Sequence, residues 1–242
     1  MKISIIIPAY NEEKTIKELL DKAISLNFGE GVEKEVIVIN DCSKDNTSEI
    51  LSTVIGEKYP IKVINNDVNL GKSRTVVKGI LSSTGDYVVI QDADLEYDPN
   101  DLKIEYEYMI LKGLDFVYGN RFNGNNKIVY KSFYFGNRLV SLASNVFTFP
   151  RLKESIPDME VCYKMVKGDI FRDIAKTMTA KTNFGFEPEL TAKLARYKVN
   201  GKHLKFEVIP ISYFPRTIEQ GKKIRWVDGV KAIIEIIKYN LF

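Results

Sequence analysis

The chain has 242 residues, 45% of them hydrophobic, and a formal net charge of +3. This length and composition suffice for the core of one large α/β domain, and so small a charge does not predict nucleic-acid binding. Cys42 and Cys162 lie far apart and His203 is the one histidine, so neither a structural zinc site nor a disulfide framework is indicated. We therefore expect a protein of the reducing cytoplasm.

The first half of the chain alternates short apolar segments with amphipathic ones. Strands are predicted over residues 3–7, 35–40 and 61–65 and again after Gly85, with helices over 15–23, 47–55, 74–82 and 101–112. Short buried strands that alternate with helices are typical of a parallel sheet covered by helices on both faces. The sequence therefore predicts an α/β fold with a mostly parallel sheet in a single domain.

The strand after Gly85 delivers acidic side chains where it ends. Asp92 and Asp94 are two residues apart and therefore point to the same side of an extended backbone, and Glu96 continues the acidic face. Ligands of open α/β sheets bind beyond the carboxyl ends of the strands, and oxygen ligands suit a divalent cation. An Asp-x-Asp triplet is also expected roughly once by chance in a chain this acidic, so a solvated strand end is the alternative.

The second half of the chain has a less regular pattern. A strand is predicted over 116–118, helices over 132–149 and 190–197, and a last strand over 208–213. The longest uncharged segment, 139–150, is shorter than the roughly 20 apolar residues that a membrane-spanning helix needs. The N-terminal apolar run is too short for the core of a signal peptide. We expect no segment that crosses a membrane.

The C-terminal residues 226–242 are predicted to form an amphipathic helix. Trp226, Val230, Ile234 and Ile237 follow helical spacing, and the charged residues fall largely elsewhere around the helix. Such a helix either lies on a membrane surface or packs on the rest of the domain, and the sequence leaves both alternatives open because its polar face is mixed in sign.

Four segments of the first half together resemble the family 2 glycosyltransferases: residues 8–13 (PAYNEE), 40–47 (NDCSKDNT), 69–72 (NLGK) and 92–96 (DADLE). The resemblance implies a GT-A fold that binds a nucleotide-diphosphate sugar with Mg²⁺ or Mn²⁺. The implied donor-binding residues are Pro8, Tyr10, Asn11, Glu12, Asp41, Lys72 and Asp92. The implied metal-binding residues are Asp92, Asp94 and Glu96.

Two of these assignments have competing explanations in the sequence. Asn40 stands where many family members carry a first Asp, so the nucleoside contact implied there rests on Asp41 alone. Asn11 and Asp41 also occupy positions where helix capping alone would explain the residue type. Capping does not explain why a Pro, a Tyr, an Asn and two Glu residues occupy one strand-to-helix corner.

Landmarks of the second half narrow the resemblance to the branch of dolichyl-phosphate mannose synthases and polyprenyl-phosphate glycosyltransferases. The landmarks are residues 119–121, 138–145, 158–164, 210–212, 216 and 221–223. Asn120 and the segment 161–164 depart from the pattern of that branch. The resemblance implies a lipid phosphate as the acceptor, with more departures on the acceptor side than on the donor side.

The two possible acceptors require different chemistry. A sugar hydroxyl needs a base, whereas a phosphate monoester is mostly dianionic at neutral pH and needs cations instead. The candidate acceptor-binding cations are Arg121, Arg138, Arg216 and Lys223. The candidate catalytic residues are Asp94, Asp158, Arg121 and Glu189. A place in the first turn of a helix, where the helix dipole favours acids, explains Glu187 and Glu189 equally well.

The leading hypothesis is an inverting, metal-dependent transfer of a hexose from a GDP-mannose or UDP-glucose type donor to a polyprenyl phosphate. The alternatives are transfer to a saccharide hydroxyl in cell-surface glycan synthesis and a sugar-nucleotide-binding module without turnover. We expect a nucleotide-sugar-binding half at residues 1–115, an acceptor half at 116–225 and the separate helix at 226–242. The protein is expected to be cytoplasmic, with peripheral contact to the cytoplasmic face of a membrane.

Overall fold

The computed structural model describes residues 1–54, 60–122, 126–182, 184–217, 219 and 226–241. Its strands are β1 (Lys2–Ala9), β2 (Glu33–Asn40), β3 (Ile61–Asn65), β4 (Tyr87–Ile90), β5 (Phe116–Asn120), β6 (Lys164–Lys167), β7 (Lys198–Val199), β8 (Lys202–His203) and β9 (Phe206–Pro210). Its helices are α1 (Ile16–Ser25), α2 (Thr47–Val54), α3 (Lys72–Leu81), α4 (Asp101–Lys112), α5 (Lys131–Leu152), α6 (Gly168–Lys176), α7 (Phe186–Arg196) and α8 (Trp226–Leu241).

Seven of the strands form one sheet in the order β3-β2-β1-β4-β6-β5-β9. All neighbouring pairs are parallel except those of β6, which runs antiparallel to both β4 and β5. The prediction of a mostly parallel α/β sheet is thereby confirmed. The sequence pattern did not reveal β6, a strand of four residues whose first residue, Lys164, is a lysine with no exposed surface.

The centre of the sheet is apolar on both faces. Ile3, Ile5, Ile6 and Ile7 of β1 have no exposed surface, as expected for a strand between two helical layers. Helix α3 approaches β1 so closely that a Cβ atom on Gly79 would overlap Ile6 Cγ2. This contact fixes α3 against the sheet, and with it the loop that precedes α3.

The second half of the chain completes the sheet and adds a helical layer. Strand β9 pairs in parallel with β5, and α5, α7 and α8 pack against one another. Among the described residues, no helix combines the length and the apolar character that crossing a membrane requires.

Candidate active site

The carboxyl ends of β2, β1 and β4, three neighbouring parallel strands, bring three loops to one edge of the sheet. Each loop contains a non-glycine residue with a left-handed backbone: Asn11 (φ 56°), Cys42 (φ 59°) and Leu95 (φ 60°). This conformation is uncommon outside glycine and persists where the surroundings fix it. The clustering therefore marks this edge, between β1 and β4 where the strand order reverses, as the candidate site.

The corner after β1 is tied to the loop after β2. The Asn11 N–H donates to Ser43 Oγ (3.0 Å), Asn11 Oδ1 accepts from the Lys44 N–H (2.8 Å), and the Glu12 N–H donates to Thr47 Oγ1 (2.8 Å). Thr15 occupies the N-cap position of α1, so helix capping does not account for Asn11. Pro8 and Tyr10 lie half-buried and Asn11 lies exposed at this corner. The corner after β1 is therefore a backbone surface that these hydrogen bonds hold in place at the candidate site.

Asp41 lies beneath the loop that begins α3. Its carboxylate accepts from the N–H groups of Leu70 (2.8 Å) and Gly71 (2.9 Å) and from Asn66 Nδ2 (2.8 Å). Gly71 adopts a φ of 80°, which favours glycine, directly before the first helical residue, Lys72. Asp41 therefore fixes the position from which Lys72 reaches the crevice, and it does not cap α2.

Lys72 reaches across to the end of β4. Its Nζ lies 3.0 Å from Asp92 Oδ1 and 3.6 Å from Glu187 Oε1 on α7. Burial alone would lower the pKa of Lys72, but the charges of Asp92 and Glu187 hold it well above its usual value. Two predicted donor-site residues are thus in contact, and α7 adds a carboxylate to them.

The α7 carboxylate near Lys72 is Glu187, whereas the sequence predicted a catalytic role for Glu189. Glu189 instead accepts hydrogen bonds from the N–H groups of Thr179 and Ala180 and lies 3.6 Å from Lys193. Residues two apart on a helix do not share a face, which is why only one of the two acids meets Lys72. A helical projection of 186–196 would have separated them.

Asp94 pairs with a cation from the far end of the chain. Its Oδ2 lies 2.6 Å from Arg216 Nη2. Burial, followed by the negative charges of Asp92 and Glu96, raises the pKa of Asp94 to about 7, against the opposing charge of Arg216. The prediction that Asp92 and Asp94 share an extended backbone is wrong, because β4 ends at Ile90 and Asp94 lies in the turn that follows. That turn nevertheless keeps Asp92 close enough to Asp94 to raise its pKa.

Glu96 faces residues 213–216, near the C-terminal end of the second half of the chain. Its carboxylate accepts from the Arg216 N–H (2.9 Å), from Arg216 Nε (3.2 Å) and from the Tyr213 hydroxyl (2.6 Å). These bonds hold residues 213–216 against the end of β4. Glu96 thus links the two halves of the chain in this structure, and its predicted role as a metal ligand stays a prediction.

Arg121 and Asp158 form a second, deeply buried pair. Arg121 donates from Nε (2.8 Å) and Nη2 (2.7 Å) to the two oxygens of Asp158, whose side chain has no exposed surface. With its amide oriented to satisfy both neighbours, Asn137 of α5 accepts from Arg121 and donates to Asp158. The Arg121 guanidinium also lies over the Tyr213 ring, 5.1 Å from its centroid. The pair therefore adjoins the segment that carries Arg216.

The two other predicted acceptor cations have different surroundings. Arg138 is exposed on α5 and donates to the Pro157 carbonyl oxygen (3.3 Å), beside Asp158. Lys223 lies outside the described residues. Two predicted acceptor cations, Arg121 and Arg216, thus converge around Tyr213, and a third, Arg138, lies at the rim.

Glu160 and Lys164 are charged residues near the candidate site that were not among the predicted site residues. Burial and then the charge of Glu187 raise the pKa of Glu160 to about 8, and its Oε1 has no hydrogen-bond partner among the described residues. Burial lowers the pKa of Lys164, whose Nζ donates to the Val161 carbonyl oxygen. Their positions two and six residues after Asp158 are the only signal that could have pointed to them.

The carboxylates at the end of β4 fit a divalent cation. Among the described residues, no three His, Cys, Asp or Glu side chains form a metal-holding cluster. Mg²⁺, however, is usually held by one or two carboxylates together with substrate phosphates, so Asp92 and Asp94 suffice as its protein ligands. Burial, and then the charges of Asp92 and Glu96, raise the pKa of Asp94, and a divalent cation would offset both effects.

The fold is that of the GT-A glycosyltransferases. The structure of glucosyl-3-phosphoglycerate synthase from Mycobacterium tuberculosis, solved with Mn²⁺, UDP and glucosyl-3-phosphoglycerate, is similar with a TM-score of 0.70 and 17% identity, over 99% of this chain and 80% of that one. S. aureus TarS 1–349 in complex with UDP is similar with a TM-score of 0.58 and 20% identity, over 100% of this chain and 67% of that one. Likeness at this identity shows the fold alone.

The sequence identifies the family. The model of the family described as "Glycosyl transferase family 2" matches residues 4–175, and the chain belongs to that family. It is 35% identical over 134 residues to the dolichol-phosphate mannosyltransferase of Pyrococcus furiosus, covering 55% of this chain and 37% of that protein. It is 36% identical over 96 residues to a dolichyl-phosphate beta-glucosyltransferase of Trichomonas vaginalis, covering 38% of this chain and 28% of that protein.

A third relative differs in the acceptor that its name implies. The poly-beta-1,6-N-acetyl-D-glucosamine synthase of Staphylococcus epidermidis is 36% identical over 96 residues, or 40% of this chain and 22% of that protein. The chain thus matches between about a fifth and two fifths of the length of these curated relatives. Its own activity and substrates are therefore a matter of proposal.

Proposed function

We propose that the chain transfers a hexose, with inversion, from a nucleotide-diphosphate sugar of the GDP-mannose or UDP-glucose type to a polyprenyl phosphate. The observation that carries the proposal is the 2.6 Å ion pair between Asp94 at the end of β4 and Arg216 of the acceptor half. It places a carboxylate suited to a metal and a guanidinium suited to a phosphate in one crevice. The names of the Pyrococcus and Trichomonas relatives support a lipid phosphate acceptor.

On the donor side, the nucleoside would bind to the corner formed by Pro8, Tyr10, Asn11 and Glu12. The hydrogen bonds from this corner to the β2 loop fix its backbone before the donor arrives, which reduces the entropy lost on binding. Asp41 contributes by holding the N–H groups before α3 in place. The donor side is therefore a preorganised surface.

Asp92 and Asp94 would hold Mg²⁺ or Mn²⁺, which supplies a Lewis acid that neutralises the charge of the departing diphosphate. Lys72 lies 3.0 Å from Asp92 and balances part of the carboxylate charge while the site is free of donor. The Mn²⁺ complex of the mycobacterial synthase supports this requirement for a divalent cation.

On the acceptor side, the phosphate would bind to Arg216 and Arg121. A dianionic phosphate oxygen attacks the anomeric carbon without prior loss of a proton, so this reaction requires no base. Asp158 accepts both side-chain bonds of Arg121 and one from its N–H (3.1 Å), which orients the guanidinium fork. Asp158 is therefore a positioning residue in this proposal.

Glu160 favours a second candidate, transfer to a saccharide hydroxyl. A hydroxyl acceptor needs a general base, and a base is most effective when its pKa lies near the working pH. Burial and then the charge of Glu187 raise the pKa of Glu160, two residues after Asp158, to about 8, which meets that condition. The name of the Staphylococcus relative is consistent with such an acceptor.

The lipid acceptor also sets where the protein would work. The phosphate of a long-chain polyprenyl phosphate stays at the bilayer surface, so the enzyme must approach that surface. We propose that the C-terminal helix α8 makes this approach at the cytoplasmic face of a membrane, as a peripheral contact.

The test is a panel of nucleotide sugars offered with a short polyprenyl phosphate and, separately, with saccharide acceptors, each with Mn²⁺ or excess chelator. Products are identified by mass. The proposal expects a hexosyl phosphoprenol with one donor and its loss in chelator. Asp98→Asn is the matched control and should keep the activity, because the Asp98 carboxylate accepts hydrogen bonds from Asn100 within its own turn. Product formation that persists in chelator, or a glycosylated saccharide alone, would contradict it.

A further inference from the structure

Helix α5 exposes an apolar stripe along its whole length. The five side chains of the stripe are 50 to 66% exposed and recur every three or four residues, so they lie on one face. They are Phe135, Leu139, Leu142, Val146 and Phe149. Single exposed apolar residues need no explanation, but a continuous stripe on a packed helix marks an interaction surface.

Helix α8, which packs against α5, exposes a second stripe of the same kind. Its inner face, with Ala232 and Ile236, is buried on the domain. Its outer face is apolar as well, with side chains 36 to 61% exposed at the same spacing: Val227, Val230, Ile234, Ile237 and Leu241. Helix α8 therefore packs on the domain with one face and exposes an apolar face on the other side. The two stripes together are called the α5–α8 surface below.

The charges that accompany this surface are of one sign. Helix α5 contains Lys131, Arg138 and Arg151 and no acidic residue. The two acids of α8, Asp228 and Glu235, have side-chain exposures of 7% and 13% and are paired with Lys231 and Lys238, both 53% exposed. On the described residues of these helices, cations thus dominate the charge presented to solvent.

We propose that the α5–α8 surface docks on an anionic lipid bilayer. Apolar side chains flanked by lysines suit the boundary between acyl chains and anionic headgroups, because the lysine stems reach outward while the apolar face is buried. A second copy of this chain fits less well, since a symmetric contact would bring the same cations together. The inference assigns to α5 a lipid contact that the proposed function gives to α8 alone.

The α5 stripe leads directly to the acceptor side of the candidate site. Arg138, three residues after Phe135 and four before Leu142, flanks the stripe and donates to the Pro157 carbonyl oxygen, whereas Asn137 contacts Arg121 and Asp158 from the opposite face of the helix. A bilayer against α5 would therefore hold a lipid phosphate beside Arg138, at the edge of the Arg121–Asp158 pair. This last step rests on the proposed function, whereas lipid binding itself requires no turnover.

The test is flotation of the full chain with vesicles of phosphatidylcholine alone or with phosphatidylglycerol added, at low and high salt. Three variants with two or fewer changes are compared: Leu142→Gln with Val146→Gln on α5, Ile234→Gln with Ile237→Gln on α8, and Leu111→Gln on α4 as the control. Leu111 is 82% exposed, so the control also removes exposed apolar surface, but at a position outside α5 and α8. Thermal unfolding confirms that each variant folds.

We expect binding of the wild type to phosphatidylglycerol vesicles at low salt, weakening at high salt. The α5 and α8 variants should each bind about tenfold more weakly, and the control should bind as the wild type does. Three results would overturn the inference: wild type that stays unbound, an α5 variant that binds normally, or a wild-type dimer in sedimentation that the α5 variant converts to monomer. Transfer to a short, water-soluble prenyl phosphate without vesicles should be unchanged in the α5 variant. This assay tests the proposed function without a bilayer, so a failure of lipid docking can be told apart from a failure of the proposed function.

Discussion

The two halves of the chain build their share of the candidate site in different ways. In the first half, each functional loop follows a parallel strand, and the sheet itself brings the loops after β1, β2 and β4 together. In the second half, Arg121 and Arg216 lie 95 positions apart along the chain and are held by ion pairs with Asp158, Asp94 and Glu96. The sheet topology brings the predicted donor-binding residues together, whereas ion pairs hold the predicted acceptor-binding arginines. Single substitutions should therefore separate the two functions.

The largest effect is expected from Asp94→Ala in the donor half. Loss of a carboxylate that would hold the cation beside the diphosphate should reduce kcat by about a thousandfold, the several kcal/mol that a catalytic cation contributes. Nucleotide binding, measured by calorimetry with and without Mn²⁺, should also lose its metal dependence. Near-normal turnover of Asp94→Ala with wild-type stability would show that the metal lies elsewhere.

The next largest effect is expected on stability, from Asp158→Ala in the acceptor half. This change leaves the Arg121 guanidinium buried without its carboxylate, which costs about 3–5 kcal/mol in the free energy of unfolding. Urea denaturation measures it. Lys112→Ala, which breaks the exposed 2.6 Å pair with Glu207, is the control and should leave the free energy of unfolding nearly unchanged. Equal costs for both variants would mean that the buried pair does not hold the acceptor side together.

A pH-dependent effect is expected at Glu105 on α4, the helix between the two halves. Both carboxylate oxygens are buried without a hydrogen-bond partner among the described residues, and burial, then the charge of Asp101, raises the pKa of Glu105 well above its usual value. A raised pKa in the folded state means that stability is lost as pH rises above the unfolded value of about 4.3. Glu105→Gln should remove that loss.

The measurement is the free energy of unfolding of wild type and Glu105→Gln at pH 5 and pH 8. The advantage of the variant should be larger at pH 8, by about 1.4 kcal/mol for each unit by which the pKa is raised over that window. Glu107→Gln, on the exposed side of the same helix, is the control and should show no such trend. A pH-independent difference at Glu105 would rule out the titration.

The smallest effect is expected from Arg216→Lys. Replacing the planar guanidinium by a point charge keeps the sign of the charge but loses one of the two side-chain contacts, to Asp94 and Glu96. The KM for prenyl phosphate should rise about five- to tenfold, and the KM for the nucleotide sugar should rise less. Steady-state kinetics with each substrate varied in turn measures both. Equal increases would assign Arg216 to the donor.

The same contrast explains how much the sequence could predict. In the first half, β3 and α4 begin and end at the predicted residues, and β1, β2, α1, α2 and α3 lie within two residues of their predictions, because each is a local apolar repeat bounded by turn residues. Position 55, at the end of the predicted second helix, lies outside the described residues. The mutual contact of Lys72 and Asp92 follows from topology and was accessible to sequence reasoning.

The second half depends on contacts that no local pattern encodes. Strand β6 begins with the buried Lys164 and pairs antiparallel in the middle of the sheet, so neither its composition nor its direction follows from periodicity. Helix α6, directly after it, was not predicted either. Arg121 and Arg216 pair with acids that are distant in the sequence. The sequence contains several acids that could serve, and which of them pair with these arginines is decided by the fold.

The central claim is that the second half of the chain presents cations to a phosphate acceptor while the first half holds the donor. Its most direct test is one competition reaction, with Mn²⁺, a single active donor, and equal concentrations of a short prenyl phosphate, the matching prenyl alcohol and an oligosaccharide. The account predicts that mass spectrometry finds the hexose on the prenyl phosphate alone, and that Arg216→Lys slows its formation. A hexose on the alcohol or on the oligosaccharide in preference to the phosphate would contradict it.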